Sequence, residues 1–242
     1  MSKDNSVRCE LAALYRILDM YHMSDLANQC AGARSKDDKD SYFVHPYGMF
    51  YDEITASSLV KIDKQGKAIE KNVPWLNDGC INLAKWIFSA REDVNYYVHG
   101  HCEDVMAVGG TKEGLQYFSQ AAVYLNHLIG YVEYNFVEDD EYAKKFMSLI
   151  KKHEILITRN HGYYTLGKTA SEAFFRAYYL KQACSVQIKN LSMRLTPLPI
   201  DKQKAEYYWQ NMSKSNDYNY DGKTEWAGLL RKLDKDQPNY KE

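Results

Sequence analysis

Long apolar runs, an excess of one charge and paired cysteines are all missing from this chain. No stretch approaches the roughly 18–20 consecutive apolar residues of a membrane span, and the opening MSKDNSVRCE lacks the apolar centre of a secretory leader. Charge is balanced, with 31 basic and 32 acidic residues, and there is no basic block of the kind that tracks a phosphate backbone. The five cysteines, at positions 9, 30, 80, 102 and 184, are odd in number and show no CxxC spacing. A disulfide framework and a cysteine-rich zinc module are therefore not indicated. Together these absences predict a cytoplasmic protein with reduced thiols that engages neither membrane nor nucleic acid. What is present suffices for one large core: 242 residues, 45% of them hydrophobic. The 21 tyrosines are compatible with an oligomer interface, where such amphipathic side chains are enriched.

Apolar positions at Leu11, Leu14, Tyr15 and Leu18 have a helical period and predict an amphipathic helix over 8–23. The small residues Ala27, Ala31, Gly32 and Ala33 suggest close packing, and Lys36 to Asp40 reads as a solvated turn. Ser41 to Pro46 and Ser58 to Asp63 read as strands, the second closed by a turn at Lys64 to Lys67. Asn77-Asp78 offers an N-cap to a helix carrying Ile81, Leu83, Ala84, Ile87 and Phe88. That helix puts Cys80 in its first turn, either as a thiol activated by exposed amides or as a small buried hydrophobe. Residues 114–134 show no clean period, and the acidic run Val137 to Glu141 can open a helix. Thr169-Ala170-Ser171-Glu172 fits a capping box ahead of a long helix through Leu191. From Asp201 onward the chain is polar, with Trp209 and Trp226 as anchors.

The pattern richest in chemistry is Val98-His99-Gly100-His101, with a third histidine in Arg159-Asn160-His161-Gly162. Asp93 to Val98 reads as a strand, and residues two apart on a strand share a face about 6–7 Å apart. The pair either converges on one ion or is simply two polar residues on a wet face. Ile155-Leu156-Ile157 places His161 where another strand leaves its sheet. Three imidazoles leave a coordination position open, as a catalytic divalent ion requires. Glu103 and Asp104 are either carboxylates that orient a ligand or polar residues where the strand ends. Cys102 alternates away from His101 and reads as packed, while His22, His45, His127 and His153 lack partners at ligand spacing. Arg159 either pins the His161 loop or meets an acidic substrate, and Asn160 reads as holding the turn.

Taken in order, Arg8 to Leu18, Pro46-Tyr47-Gly48, Glu53 to Val60, Ala90-Arg91 with Asp93-Val94, His99-Gly100-His101, Arg159 to Gly162 and Gly167 to Ala173 resemble the class II aldolase and adducin head-domain family. Trp226 with Leu229 to Asp234 resembles the C-terminal segment of its bacterial adducin-like branch. The resemblance implies an α/β fold: three α/β/α layers about a mostly antiparallel sheet over 1–200. It further implies a C-terminal arm, 201–242, packing on the same domain or on a neighbour within a homotetramer. It implies His99, His101 and His161 as ligands of a divalent metal, zinc first, with manganese or iron as alternatives. At the position of the family's acid/base glutamate stands Cys80. The positions of its phosphate pocket carry Cys30, Tyr47, Asp78 and Gly79, and its tyrosine proton donor falls at Gln120, close to Tyr117 and Ser119. Ala84 and Phe88 replace histidines common in the adducin-like branch.

Three activities fit that resemblance. The first is a metal-dependent carbon–carbon lyase, cleaving an aldol or decarboxylating a β-keto acid through a metal-stabilised enolate, on a small-molecule substrate without phosphate. The second is a non-haem iron oxygenase of the same fold in a biosynthetic pathway. The third is a non-catalytic, adducin-like binding protein.

Overall fold

The computed structural model describes residues 2–135, 139–212 and 221–242. Its centre is a seven-stranded sheet in the order β3-β2-β1-β4-β7-β6-β5. The strands are β1 (Cys30–Arg34), β2 (Ser41–Val44), β3 (Val60–Asp63), β4 (Tyr96–Gly100), β5 (Ile129–Val132), β6 (Ile155–Thr158) and β7 (Gly162–Gly167). Every neighbouring pair is antiparallel except β5 with β6. The expected three-layer α/β/α architecture with a mostly antiparallel sheet is what the chain adopts.

One face of the sheet is covered by α2 (Asp78–Ala90) and α5 (Asp140–Ile150), the other by α1 (Lys3–Met20), α3 (Glu103–Gly109), α4 (Gln120–Leu125), α6 (Ala170–Ser192) and α8 (Lys223–Asp236), while α7 (Lys202–Met212) lies against α4. Alternation along β4 divides its residues between two apolar layers. Tyr97 points into the α2/α5 layer and Tyr96 and Val98 into the α1/α6 layer. In α1, Val7, Leu11, Leu14, Tyr15 and Leu18 form a fully buried stripe. Among the described residues no helix is long and apolar enough to cross a membrane.

Local chemistry explains the boundaries. Ser2 caps α1 by accepting from the Asp4 amide, so that helix starts at Lys3, five residues before its apolar period becomes visible at 8. Asn77 Oδ1 accepts from Gly79 N at 2.8 Å and opens α2. Thr169 Oγ1 accepts from Glu172 N, and Glu172 reaches back to Lys168 N at 2.7 Å, a capping box displaced by one residue. Asp139 caps α5; positions 137 and 138 of the acidic run lie outside the described residues. The 114–134 stretch divides into α4, a 3-10 turn (Asn126–Leu128) and β5, each too short to show a period. Near the C-terminus Trp226, Leu233 and Tyr240 join the α1/α6 layer, and Ser57 N donates to Glu242 O at 2.7 Å. Trp209 stacks on His127.

His45, just after β2, is buried with its Nδ1 at 2.9 Å from the Tyr15 hydroxyl. Burial lowers its pKa from 6.5 to about 4. Between those values the unfolded chain takes up a proton that the folded chain excludes, so stability falls as the pH drops through that window. The loss expected from His45 alone is about 2 kcal/mol at pH 5. Urea unfolding at pH 7 and pH 5 checks this, because His45→Gln should flatten the difference. An unchanged difference would show that the ring is not held neutral by the fold.

Candidate metal centre

The three histidines meet at the C-terminal end of β4. His99 is the last side chain of that strand, paired with Cys30 of β1 and Tyr164 of β7, and its ring stacks on Tyr164 at 4.5 Å and 9°. His101 follows at the exit of the strand, ahead of α3. His161 lies in the turn between β6 and β7, its backbone N–H donating to Thr158 O at 3.1 Å. Asn160 holds that turn with φ 60°, in the left-handed region. Arg159 pins the loop. Its guanidinium donates to the carbonyls of Gly109 and Thr111, pairs with Glu133 at 3.2 Å and lies over the Tyr131 ring.

The ligand atoms of His99, His101 and His161 all lie within 4.8 Å of one another. His99 Nδ1 donates to the Tyr163 carbonyl at 3.0 Å, and His101 Nδ1 lies 3.0 Å from Asp25 Oδ2. A carbonyl can only accept, so His99 in its neutral form carries its free lone pair on Nε2. His101, donating to the carboxylate, does the same. The two Nε2 atoms then face each other at 3.1 Å. Two lone pairs in that position repel unless an electrophile lies between them. Ligand nitrogens about 2.0–2.1 Å from one ion and roughly 90–109° apart are separated by about 3.0–3.4 Å, so the His99–His101 spacing fits a divalent metal, with the third imidazole within 4.8 Å of both. Burial, then the neighbouring His101 and His161, push His99 well below its ordinary pKa, and burial with His101 lowers His161 to about 4. Both rings are thus held neutral, as ligands must be. Tyr134 stacks over His161 at 4.9 Å and 14°.

The remaining candidates are spread around this centre. Cys80 is buried in the first turn of α2, on the same side of the sheet as His99, and its carbonyl accepts from the Tyr97 hydroxyl at 3.4 Å. Cys30 is fully buried, with Sγ at 3.8 Å from that same hydroxyl. Asp78 and Gly79 form the outer edge of the α2 start, Asp78 exposed and Gly79 half-buried. Tyr47 donates to Asn28 Oδ1 at 3.3 Å and packs edge-on against Trp75. Gln120 and Tyr124 share a hydrogen bond on α4. Cys102 packs against the α1/α6 layer. Glu103 and Asp104 begin α3. The carboxylate on a histidine of the triad is Asp25, which spacing could not reveal because it lies 76 residues before His101.

The family model for the class II aldolase and adducin N-terminal domain matches residues 9–188. A Caulobacter vibrioides protein named for class 2 aldolases is 31% identical over 239 residues, covering 96% of this chain and 91% of that protein. Rat alpha-adducin is 34% identical over 190 residues, but the match covers 77% of this chain and only 26% of the adducin. Among solved structures, an aldolase II superfamily protein from Pseudomonas syringae superposes with a TM-score of 0.91 at 24% identity, covering 100% of this chain and 97% of that one. L-fuculose 1-phosphate aldolase from Glaciozyma antarctica gives 0.84 at 18%, covering 99% and 93%. The model match spans most of the chain and the first of these relatives is similar along nearly its whole length, so the chain belongs to the class II aldolase and adducin N-terminal domain family.

Proposed function

We propose that the protein is a metal-dependent carbon–carbon lyase acting on an unphosphorylated small molecule, with His99, His101 and His161 as ligands of a zinc ion, or of manganese in its place. The observation that carries this reading is the facing pair of Nε2 atoms, 3.1 Å apart, with both Nδ1 atoms committed elsewhere. A divalent ion, when bound, supplies Lewis-acid stabilisation of negative charge developing on a carbonyl oxygen. The protein's own residues do the rest. His99 and His161 stay neutral through burial, Tyr134 covers one side of His161, and the Cys80 thiol is the candidate for moving the proton. Absence of a phosphate from the substrate is supported at the start of α2, where Asp78 sets a carboxylate against any anion seeking the free amides. Cys30 is shut away in the core and Tyr47 has its hydroxyl on Asn28. The family's use of small-molecule substrates and its tendency to oligomerise support a homo-oligomer, for which a tetramer is the expectation.

Elemental mass spectrometry on tag-free protein, followed by a screen of unphosphorylated aldols and β-keto acids, tests the reading. Zinc or manganese near one per chain with turnover in the screen is the expected result. Iron would transfer the assignment to the oxygenase, and a metal-free protein that resists reconstitution would transfer it to an adducin-like binding role. On the active substrate, Cys80→Ser should keep its metal and lose about 10²-fold in turnover. Unchanged turnover would return Cys80 to packing.

A further inference from the structure

We infer that Asp25 is the positioning residue of this centre and sets how tightly the metal is retained, an inference that rests on the triad being a metal site. Asp25 Oδ2 lies 3.0 Å from His101 Nδ1, and the same loop holds the histidine a second time through Gln29 Oε1, which accepts from His101 N at 3.1 Å. Gln29 is buried and locked in turn by donating to Met23 O at 2.6 Å. Lys181 of α6 fixes the start of the loop, its Nζ donating to Tyr21 O at 3.0 Å and His22 O at 2.7 Å. Between the two anchors Leu26 is held at φ 47° with its side chain 67% exposed. Left-handed backbone at a branched, solvent-facing residue is unfavourable and persists only where its surroundings impose it. Leu26 sits inside a turn closed by Asn28 N donating to Asp25 O at 2.9 Å.

The two anchors of the triad differ in kind. His99 leans on a neutral carbonyl, whereas His101 leans on a carboxylate, which orients the ring and strengthens its donor nitrogen. Glu103 and Asp104 line the same cleft of about 250 Å³ beside His101, yet the Nδ1 contact belongs to Asp25.

Chelator competition on zinc-loaded protein, and the visible absorption of cobalt-loaded protein, test this. Asp25→Ala should bind zinc about 10–100-fold more weakly and shift the cobalt bands. Asp25→Asn, which keeps an acceptor without its charge, should fall between Asp25→Ala and wild type. Glu103→Gln should match wild type in both measurements. Thermal midpoints of the metal-free proteins should agree, which separates positioning from loss of fold. Wild-type affinity and unchanged cobalt bands in Asp25→Ala would overturn the role of Asp25 while leaving the metal site standing. A wild-type protein that binds neither ion would overturn the metal reading itself.

Discussion

Alanine at His101 is expected to empty the metal centre and leave the fold standing. One of the three proposed ligands disappears, so the affinity loss should exceed the 10–100-fold attached to an outer partner, and protein purified in parallel should fall from about one metal per chain to a small fraction. The fold should survive because neither apolar layer includes His101. The ring is half-buried and meets Asp25 and the edges of the other two imidazoles. His161→Ala should behave alike, since the β6–β7 turn is held by Arg159 and by backbone hydrogen bonds. His153→Ala, away from the triad, serves as the control. Full occupancy in His101→Ala would remove the site assignment. Occupancy lost together with the cooperative unfolding transition would mean that the ion is part of the core.

Arg34→Ala is expected to cost roughly 3–5 kcal/mol of stability, a large share of the usual 5–15 kcal/mol. Arg34, at the end of β1, is 7% exposed and spreads its guanidinium over four backbone carbonyls. These are Val94 O at 3.2 Å, Lys39 O at 3.0 Å, Phe88 O at 2.7 Å and Arg91 O at 2.9 Å. One side chain thereby joins the β1–β2 turn, the end of α2 and the approach to β4, while its plane lies over Phe88 at 4.9 Å. Removing it leaves the buried acceptors Val94 O and Phe88 O unpaired and opens a cavity. Arg34→Lys should recover only part of the loss, because an ammonium cannot reproduce the planar fork. Urea unfolding at neutral pH gives the number, and a shift below about 1 kcal/mol would show that water replaces the guanidinium at little cost.

Much of this architecture can be read from the chain, and the exceptions have physical causes. The strands at 41–44 and 60–63 and the capped starts of α2 and α6 follow from local chemistry, while the three histidines as one set follow from the family resemblance, since local spacing leaves the pair at 99 and 101 open. The strand at 30–34 does not. Ala31-Gly32-Ala33 looks like a close-packing segment because both faces of the central sheet are covered and the side chains opposite are large. Gly32 is needed there since a Cβ would meet the Tyr97 ring at 2.4 Å. The four short residues of β5 vanish into an aperiodic stretch for want of length. Asp25 and Tyr134 are invisible because their partners are assembled only by the tertiary fold. Arg34 gives no sign of its four carbonyls, which come from segments scattered over 39–94.

The acceptor that fixes His99 is the main-chain oxygen of Tyr163, and the phenol of that tyrosine is buried with no hydrogen-bond partner. Its ring fills the space over Gly100, where a Cβ would meet the hydroxyl at 2.4 Å. No codon change at 163 short of one that bends β7 can withdraw that carbonyl, whereas a single nucleotide change can turn the aspartate at 25 into asparagine or alanine. The centre thus has one support that inheritance cannot easily alter and one that it can. If the proposed ion is held there, its retention can drift at position 25 and hardly at all at position 163.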